Sequence, residues 1–145
     1  MEDRNVLFVA DEPEWCSTYL ESLAEAFRTV IVKHDASQCL KYCEDHLDID
    51  ALIVDVMMPT PINVSSTETN SGLETGIYLI EQLRDYIMNY RCPIVVLTNR
   101  GRDLFMERFT TISLPKELWE IRQKGGTPSR GLPVLVKQLI DSNRS

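Results

Sequence analysis

Two kinds of hydrophobic pattern alternate along this chain. Short runs of consecutive apolar residues are typical of strands buried on both faces, whereas apolar residues that recur every three or four positions are typical of amphipathic helices. The clearest run is residues 51–54, which leads directly into Asp55 and is followed by Pro59. Because proline cannot join a central ladder, we predict that this strand ends near Asp55. The carboxylate should therefore lie at the carboxyl end of a central strand, the edge at which open α/β sheets bind ligands.

The same reasoning predicts strands and helices in alternation along the whole chain. This order implies a parallel sheet with helices on both faces. Right-handed crossovers then give a doubly wound, five-stranded α/β sheet in the flavodoxin-like order 2-1-3-4-5. A length of 145 residues suffices for one domain with a core, so we assign 1–145 to a single domain. The predicted strands are 6–9, 29–33, 50–55, 93–98 and 110–114, and the predicted helices are 13–27, 36–47, 76–89, 102–108, 116–123 (one or two turns) and 133–142.

Residues 60–75 interrupt the alternation with a long polar segment rich in Ser, Thr and Asn. Such a composition offers little apolar area to offset the entropy of ordering, so we expect a solvated loop without packed structure. Loops of this length tend to be functional or disordered. Two interpretations stay open: a lid or partner-docking segment beside Asp55, and a tolerated surface insertion.

Charge and composition exclude several classes of protein. The net charge of −7 and the pI of about 4.8 argue against a nucleic-acid-binding protein. No stretch approaches the roughly 18 consecutive apolar residues of a membrane span, and the acidic N-terminus is not a signal peptide. The four cysteines contain no CxxC pair. Cys39 and Cys43 are either a metal-binding pair on a helix or, as we favour, buried reduced thiols of a cytoplasmic protein.

Two carboxylates converge in the predicted fold. Since strands one and three are neighbours in the order 2-1-3-4-5, Asp11 and Asp55 should meet at one edge of the sheet. Two carboxylates in one cleft repel each other, and one pKa rises unless a cation lies between them. Mg²⁺ is the expected cation, because it accepts one or two carboxylates, retains water and bridges to phosphate oxygens. The residues alone therefore indicate a phosphoryl-binding site.

Three segments, residues 9–13, 54–59 and 94–98, resemble the receiver domain of two-component response regulators, here an atypical member. The Asp-x-Met-Met-Pro run after a buried strand is the most specific of them. The resemblance implies that Asp55 accepts a phosphoryl group and that Asp11, Asp55 and the Met57 backbone carbonyl bind Mg²⁺. It also implies that Thr98 is the switch hydroxyl that reports the phosphoryl group.

Several residues depart from the receiver pattern. Ala10 stands where a second acidic residue is usual at the end of strand one, and Glu12 either compensates as a metal ligand or serves as a helix N-terminal charge. Leu114 takes the place of the lysine in the Lys-Pro pair that ends strand five, which leaves Lys116 as the candidate phosphate contact. Asn99 replaces a small residue and would narrow access to the site.

The resemblance implies a phosphorelay protein rather than an enzyme. Its partners would be a histidine kinase or phosphotransfer protein and a separate effector protein, without direct contact to nucleic acid or membrane, and a homodimer is compatible with this role. One alternative is a degenerate receiver that binds a partner without being phosphorylated. A Mg²⁺-dependent phosphatase is the other, but Met57 stands where such enzymes carry their general acid.

Overall fold

The computed structural model of this protein describes residues 2–11, 13–99, 101 and 105–143. Within these residues, five parallel strands form one sheet in the order β2-β1-β3-β4-β5. The predicted fold class and strand order are thus confirmed. The strands are β1 (Glu2–Val9), β2 (Phe27–Lys33), β3 (Ala51–Asp55), β4 (Ile94–Thr98) and β5 (Trp119–Gln123).

Helices cover both faces of the sheet. The first and last pack on one face, where they share a hydrophobic layer with alternate residues of β1 and β3. The remaining helices pack on the other face around a larger layer. The helices are α1 (Pro13–Ala26), α2 (Ala36–Asp45), α3 (Thr75–Gln82), α4 (Arg84–Tyr90), α5 (Met106–Thr111) and α6 (Gly131–Asn143).

Strand β3 is central and all five of its residues are buried. Ile53 faces the layer under α1 and α6, whereas Leu52 and Val54 face the opposite layer. A strand that contributes to two apolar layers needs apolar residues at consecutive positions. This is why residues 51–54 form an uninterrupted run, and why the strand ends where the first carboxylate, Asp55, follows.

The prediction of the fifth strand is wrong. Residues 106–111 form α5, and β5 is found at Trp119–Gln123, where a helical turn was expected. The β-branched Thr110 favoured a strand, but in α5 its hydroxyl donates a hydrogen bond to the carbonyl of Met106 at 2.7 Å. Strand β5 lies at the edge of the sheet, and its apolar and polar side chains alternate. Trp119 and Ile121 face the core, while the neighbouring side chains are polar.

The other boundaries differ by smaller amounts. The helix predicted at 76–89 is divided at Leu83 into α3 and α4. Of the helix predicted at 116–123, one 3-10 turn remains, at Lys116–Leu118. Residues 102–104 lie outside the described part of the chain, so the start of the helix predicted at 102–108 is not compared. Among the helices that are described, none is long and apolar enough to cross a membrane.

Candidate functional site

A cavity of about 300 Å³ lies at the carboxyl edge of the sheet. Asp11, which follows β1, and Asp55, which ends β3, both line it, as the strand order predicts. Its wall also contains Met57 and the segment 71–73 of the long polar loop. The predicted carboxylates are therefore brought together with Met57 in one concave site.

Lys124 supplies the positive charge that sequence reasoning did not find in this site. Its Nζ lies 3.0 Å from Oδ1 of Asp55, and the two side chains are 13% and 3% exposed. Lys124 comes directly after Gln123, the last residue of β5, and Gln123 pairs with Thr98 at the end of β4. The lysine thus reaches Asp55 from the carboxyl end of the edge strand.

This placement corrects the expectation for Lys116 and Leu114. Both residues precede β5, which begins at Trp119, and Lys116 lies in the 3-10 turn before it. In a parallel sheet the amino-terminal end of β5 is opposite the edge at which Asp55 lies. Lys116 therefore does not reach the site, and Leu114 does not replace the lysine.

The environment of Asp55 opposes its ionisation on balance. Burial raises the pKa of this carboxyl above its ordinary value, and the negative charge of Asp11 raises it slightly further. Lys124 lowers the pKa through its charge and its hydrogen bond, and the backbone N–H of Met57 lowers it by donating to Oδ1 at 3.3 Å. Asp55 is thus a buried carboxylate that is partly neutralised by one lysine.

The donor set at this edge fits a hard cation. Asp11 is half-buried and Asp55 is buried, so two carboxylates converge on a concave site together with the Met57 segment. Glu12, the additional candidate ligand, lies outside the described residues. No group of three or more His, Cys, Asp and Glu residues that could hold a metal occurs in the described ranges. Mg²⁺ needs no such group, because it binds through one or two carboxylates and retains water.

Thr98 and Asn99 follow each other at the end of β4. Thr98 is 1% exposed, and Asp55 pairs with its neighbour Leu97 in the adjacent strand. Asn99 is exposed and lines the cavity, whereas Thr98 is buried and is not one of the lining residues. Asn99 is therefore in contact with the cavity, and its effect on access to the site stays a prediction.

The long polar loop is packed where it meets the site, contrary to the expectation of a loop without packed structure. Thr69 is fully buried, and the N–H of Met58 donates to the carbonyl of Gly72 at 3.1 Å. Gly72 has φ +91°, and a Cβ at this position would lie 2.9 Å from the carbonyl oxygen of Met58. Most of the remaining loop is exposed, with Ile62 at 87%. The segment 71–73 is therefore a fixed wall of the cavity.

A partly buried ion cluster links this wall to α5. Arg108 contacts Glu81 of α3 at 2.6 Å and Glu74, which precedes α3, at 3.4 Å. Asn70 of the loop donates to the other carboxylate oxygen of Glu74 at 3.1 Å. These contacts link the loop, α3 and α5 on one side of the site.

Most of the cysteines lie away from this edge, and none of the four forms a disulfide. Cys16, Cys39, Cys43 and Cys92 are all buried and unbridged. The pKa of Cys39 is raised and that of Cys43 lowered, mainly through the hydrogen bond between their side chains. Their burial agrees with the interpretation as core thiols.

Comparison with known proteins shows the family of this chain. No protein-family model matches the chain. The transcriptional regulatory protein CpxR of Klebsiella pneumoniae is 31% identical over 99 residues, which are 68% of this chain and 35% of that protein. This chain is a receiver domain. It spans about a third of the length of the curated relative it matches.

Solved structures show the same fold as this receiver domain. The receiver domain of Francisella response regulator 1452 superposes with a TM-score of 0.72 at 17% identity, over 98% of this chain and 100% of the other. A response regulator receiver protein from Sinorhizobium medicae gives a TM-score of 0.74 at 17% identity, over 99% and 98%. A receiver domain protein from Clostridium thermocellum gives 0.71 at 15% identity, over 96% and 95%.

Proposed function

We propose that this receiver domain is a phosphorelay protein in which Asp55 accepts a phosphoryl group. The observation that carries the proposal is the 3.0 Å contact between Lys124 Nζ and Asp55 Oδ1, both of which line the cavity. With the lysine at the end of β5, the arrangement agrees with the receiver pattern at the position where the sequence seemed to depart from it most. A receiver that only binds partners has no need of a buried lysine paired with a buried carboxylate.

The proposed reaction is a transfer from a phosphohistidine of a kinase or phosphotransfer protein. A carboxylate oxygen of Asp55 forms a bond to phosphorus while the donor's P–N bond breaks, and the electron pair of that bond stays on the imidazole nitrogen. Such transfers need little covalent chemistry from the protein beyond positioning and stabilisation of charge. Lys124 would neutralise negative charge that the phosphoryl oxygens bring into a buried site.

The proposal includes a Mg²⁺ site formed by Asp11, Asp55 and the Met57 carbonyl. Bound there, the ion would offset the mutual repulsion of the carboxylates and the phosphoryl group. Asp11 keeps the half-buried position that allows it to hold a hydrated cation. Ala10, where the receiver pattern usually has a second acid, leaves the site with fewer carboxylates, so we expect weak metal binding.

The proposed output is a change of protein surface rather than turnover of a substrate. Thr98 would respond to the phosphoryl group, and the region after β4 would change its contacts with a separate effector. We assign no direct nucleic-acid contact to this chain, in keeping with its net charge of −7. The relative CpxR is by name a transcriptional regulatory protein, but the match covers 35% of it.

Incubation with acetyl phosphate and Mg²⁺, followed by intact mass measurement, tests the proposal. We expect one added phosphoryl group on the wild type, none on Asp55→Asn, and about a hundredfold slower labelling of Lys124→Met, since one electrostatic contact to developing charge is removed. Chelation of Mg²⁺ should also suppress labelling. Lys116→Met is the matched control, because this lysine is exposed at the opposite edge, and it should behave as the wild type.

Two results would contradict the proposal. Labelling that persists in Asp55→Asn would locate the chemistry elsewhere. No labelling of the wild type by acetyl phosphate or by any phosphohistidine donor would favour the unphosphorylated binding module.

A further inference from the structure

The Lys124 side chain is held from two sides. Its Nζ lies 3.8 Å from the centroid of the Trp15 ring as well as 3.0 Å from Asp55. An ammonium over the face of an indole is attracted by the ring quadrupole, and more strongly when water is excluded. Since the Lys124 side chain is only 13% exposed, water is largely excluded and the attraction contributes to holding the ammonium in place.

The backbone of Lys124 is held as well, by the next aromatic residue on the same face of α1. The Tyr19 hydroxyl lies 3.0 Å from the Lys124 carbonyl oxygen and 2.7 Å from that of Thr127. The rings of Trp15 and Tyr19 meet edge to face, with centroids 6.0 Å apart. Tyr19 is buried in the layer beneath α1, so this pair has a rigid support.

The residues after Lys124 make such support necessary. Receiver domains usually have a proline after this lysine, and proline restricts the backbone. Here the next residues are Gly125 and Gly126, the most permissive backbone possible, and a Cβ on either would meet nothing within 4 Å. Lys124–Gly126 form a short 3-10 turn. The Lys124 ammonium contacts Asp55 and the Trp15 ring of α1, so its position depends on residues outside this turn.

We propose that Trp15 and Tyr19 are positioning residues that hold Lys124 against Asp55, in place of the missing proline. The contacts of Trp15 and Tyr19 with Lys124 do not depend on the proposed function. Their effect on the rate of phosphorylation rests on it. Trp15 acts on the ammonium and Tyr19 on the backbone carbonyl. Neither side chain is assigned a contact with the phosphoryl group, so each acts through Lys124.

The geometry is tested by NMR on the unphosphorylated full chain. Because the Lys124 Nζ lies 3.8 Å from the centroid of the Trp15 ring, we expect the protons on the adjacent carbon to resonate upfield of those of the other lysines. Trp15→Leu should remove the shift. Trp119→Phe should keep it, because Trp119 packs against Phe109 in the opposite layer. An unchanged Lys124 shift in Trp15→Leu would overturn the proposal.

The consequence is tested by labelling rates over a range of acetyl phosphate concentrations. Trp15→Leu and Tyr19→Phe should each lower the maximal rate about fivefold, while Trp15→Phe recovers much of the loss, because phenylalanine retains a weaker ring face. In a Lys124→Met background, Trp15→Leu should add nothing. A further fivefold loss in that background would show a merely structural role and overturn the proposal. If the wild type takes no phosphoryl group, the proposed function fails and the Lys124 resonances alone decide this inference.

Discussion

At the scale of single residues, the site is organised by one buried charge and its counter-charge. Asp55 is 3% exposed, and burial is the largest influence on its pKa, which it raises. A raised folded-state pKa means that folding disfavours the carboxylate, so the unfavourable contribution grows as the pH rises from the unfolded value through the folded one. Lys124 opposes this contribution. The buried Asp55 carboxylate therefore lowers the stability of the fold, and Lys124 reduces this loss.

Removing Lys124 should reveal this cost. We expect Lys124→Gln to lower the free energy of unfolding by roughly 3 kcal/mol at neutral pH, because it leaves a buried carboxylate without its partner. The loss should shrink as the pH falls through the pKa of Asp55, since the protonated carboxyl needs no cation. Urea denaturation at several pH values measures this. In an Asp55→Asn background the same substitution should cost much less; an equal cost in both backgrounds would contradict the ion pair.

At the scale of elements, the long loop and α5 are tied together by charge. Glu74 is 9% exposed, and Arg108 contacts it and Glu81 while Asn70 binds it from the loop. The pKa of Arg108 is raised, mainly by its hydrogen bond to Glu81. A loop whose sequence suggests a solvated segment thus obtains its order from contacts with distant residues.

Arg108→Met should loosen this wall of the site without unfolding the sheet. We expect a loss of roughly 2 kcal/mol in stability, because Glu74 keeps its burial but loses its cation. Hydrogen exchange should accelerate at the amides of residues 69–74 more than in β3. Arg122→Met is the matched control, since Arg122 pairs with Glu120 on the exposed side of β5 and such pairs contribute little. Equal exchange rates in both variants would argue against the proposed link.

The elements also show what the sequence can and cannot predict. Strand β3 and the position of Asp55 can be predicted from the sequence, because a strand that is buried on both faces has a continuous apolar run. The role of Lys124 is not predicted from the sequence, because the β-branched residues near Thr110 favour a fifth strand at the wrong place. The correct signal is the alternation of apolar and polar residues that begins at Trp119, which is typical of an edge strand. The burial of Thr69 cannot be predicted from the sequence either. Its burial depends on tertiary contacts that no local pattern encodes.

At the scale of the whole molecule, one sheet joins two hydrophobic layers. Residues 6–9 of β1 and 51–54 of β3 belong to the two layers in alternation. Trp15 packs against the layer under α1 and α6, and Trp119 against the layer on the other face. The two tryptophans are therefore independent reporters of the two faces.

Because the central strands serve both layers, neither layer can be lost without breaking the sheet, and unfolding should be a single transition. In Trp119→Phe, fluorescence reports the Trp15 face, and in Trp15→Phe it reports the Trp119 face. We expect the fluorescence and far-ultraviolet circular dichroism midpoints in urea to coincide within each variant, although stability differs between the variants. Separate midpoints within one variant would mean that one layer melts first, and that β1 and β3 do not couple the two faces.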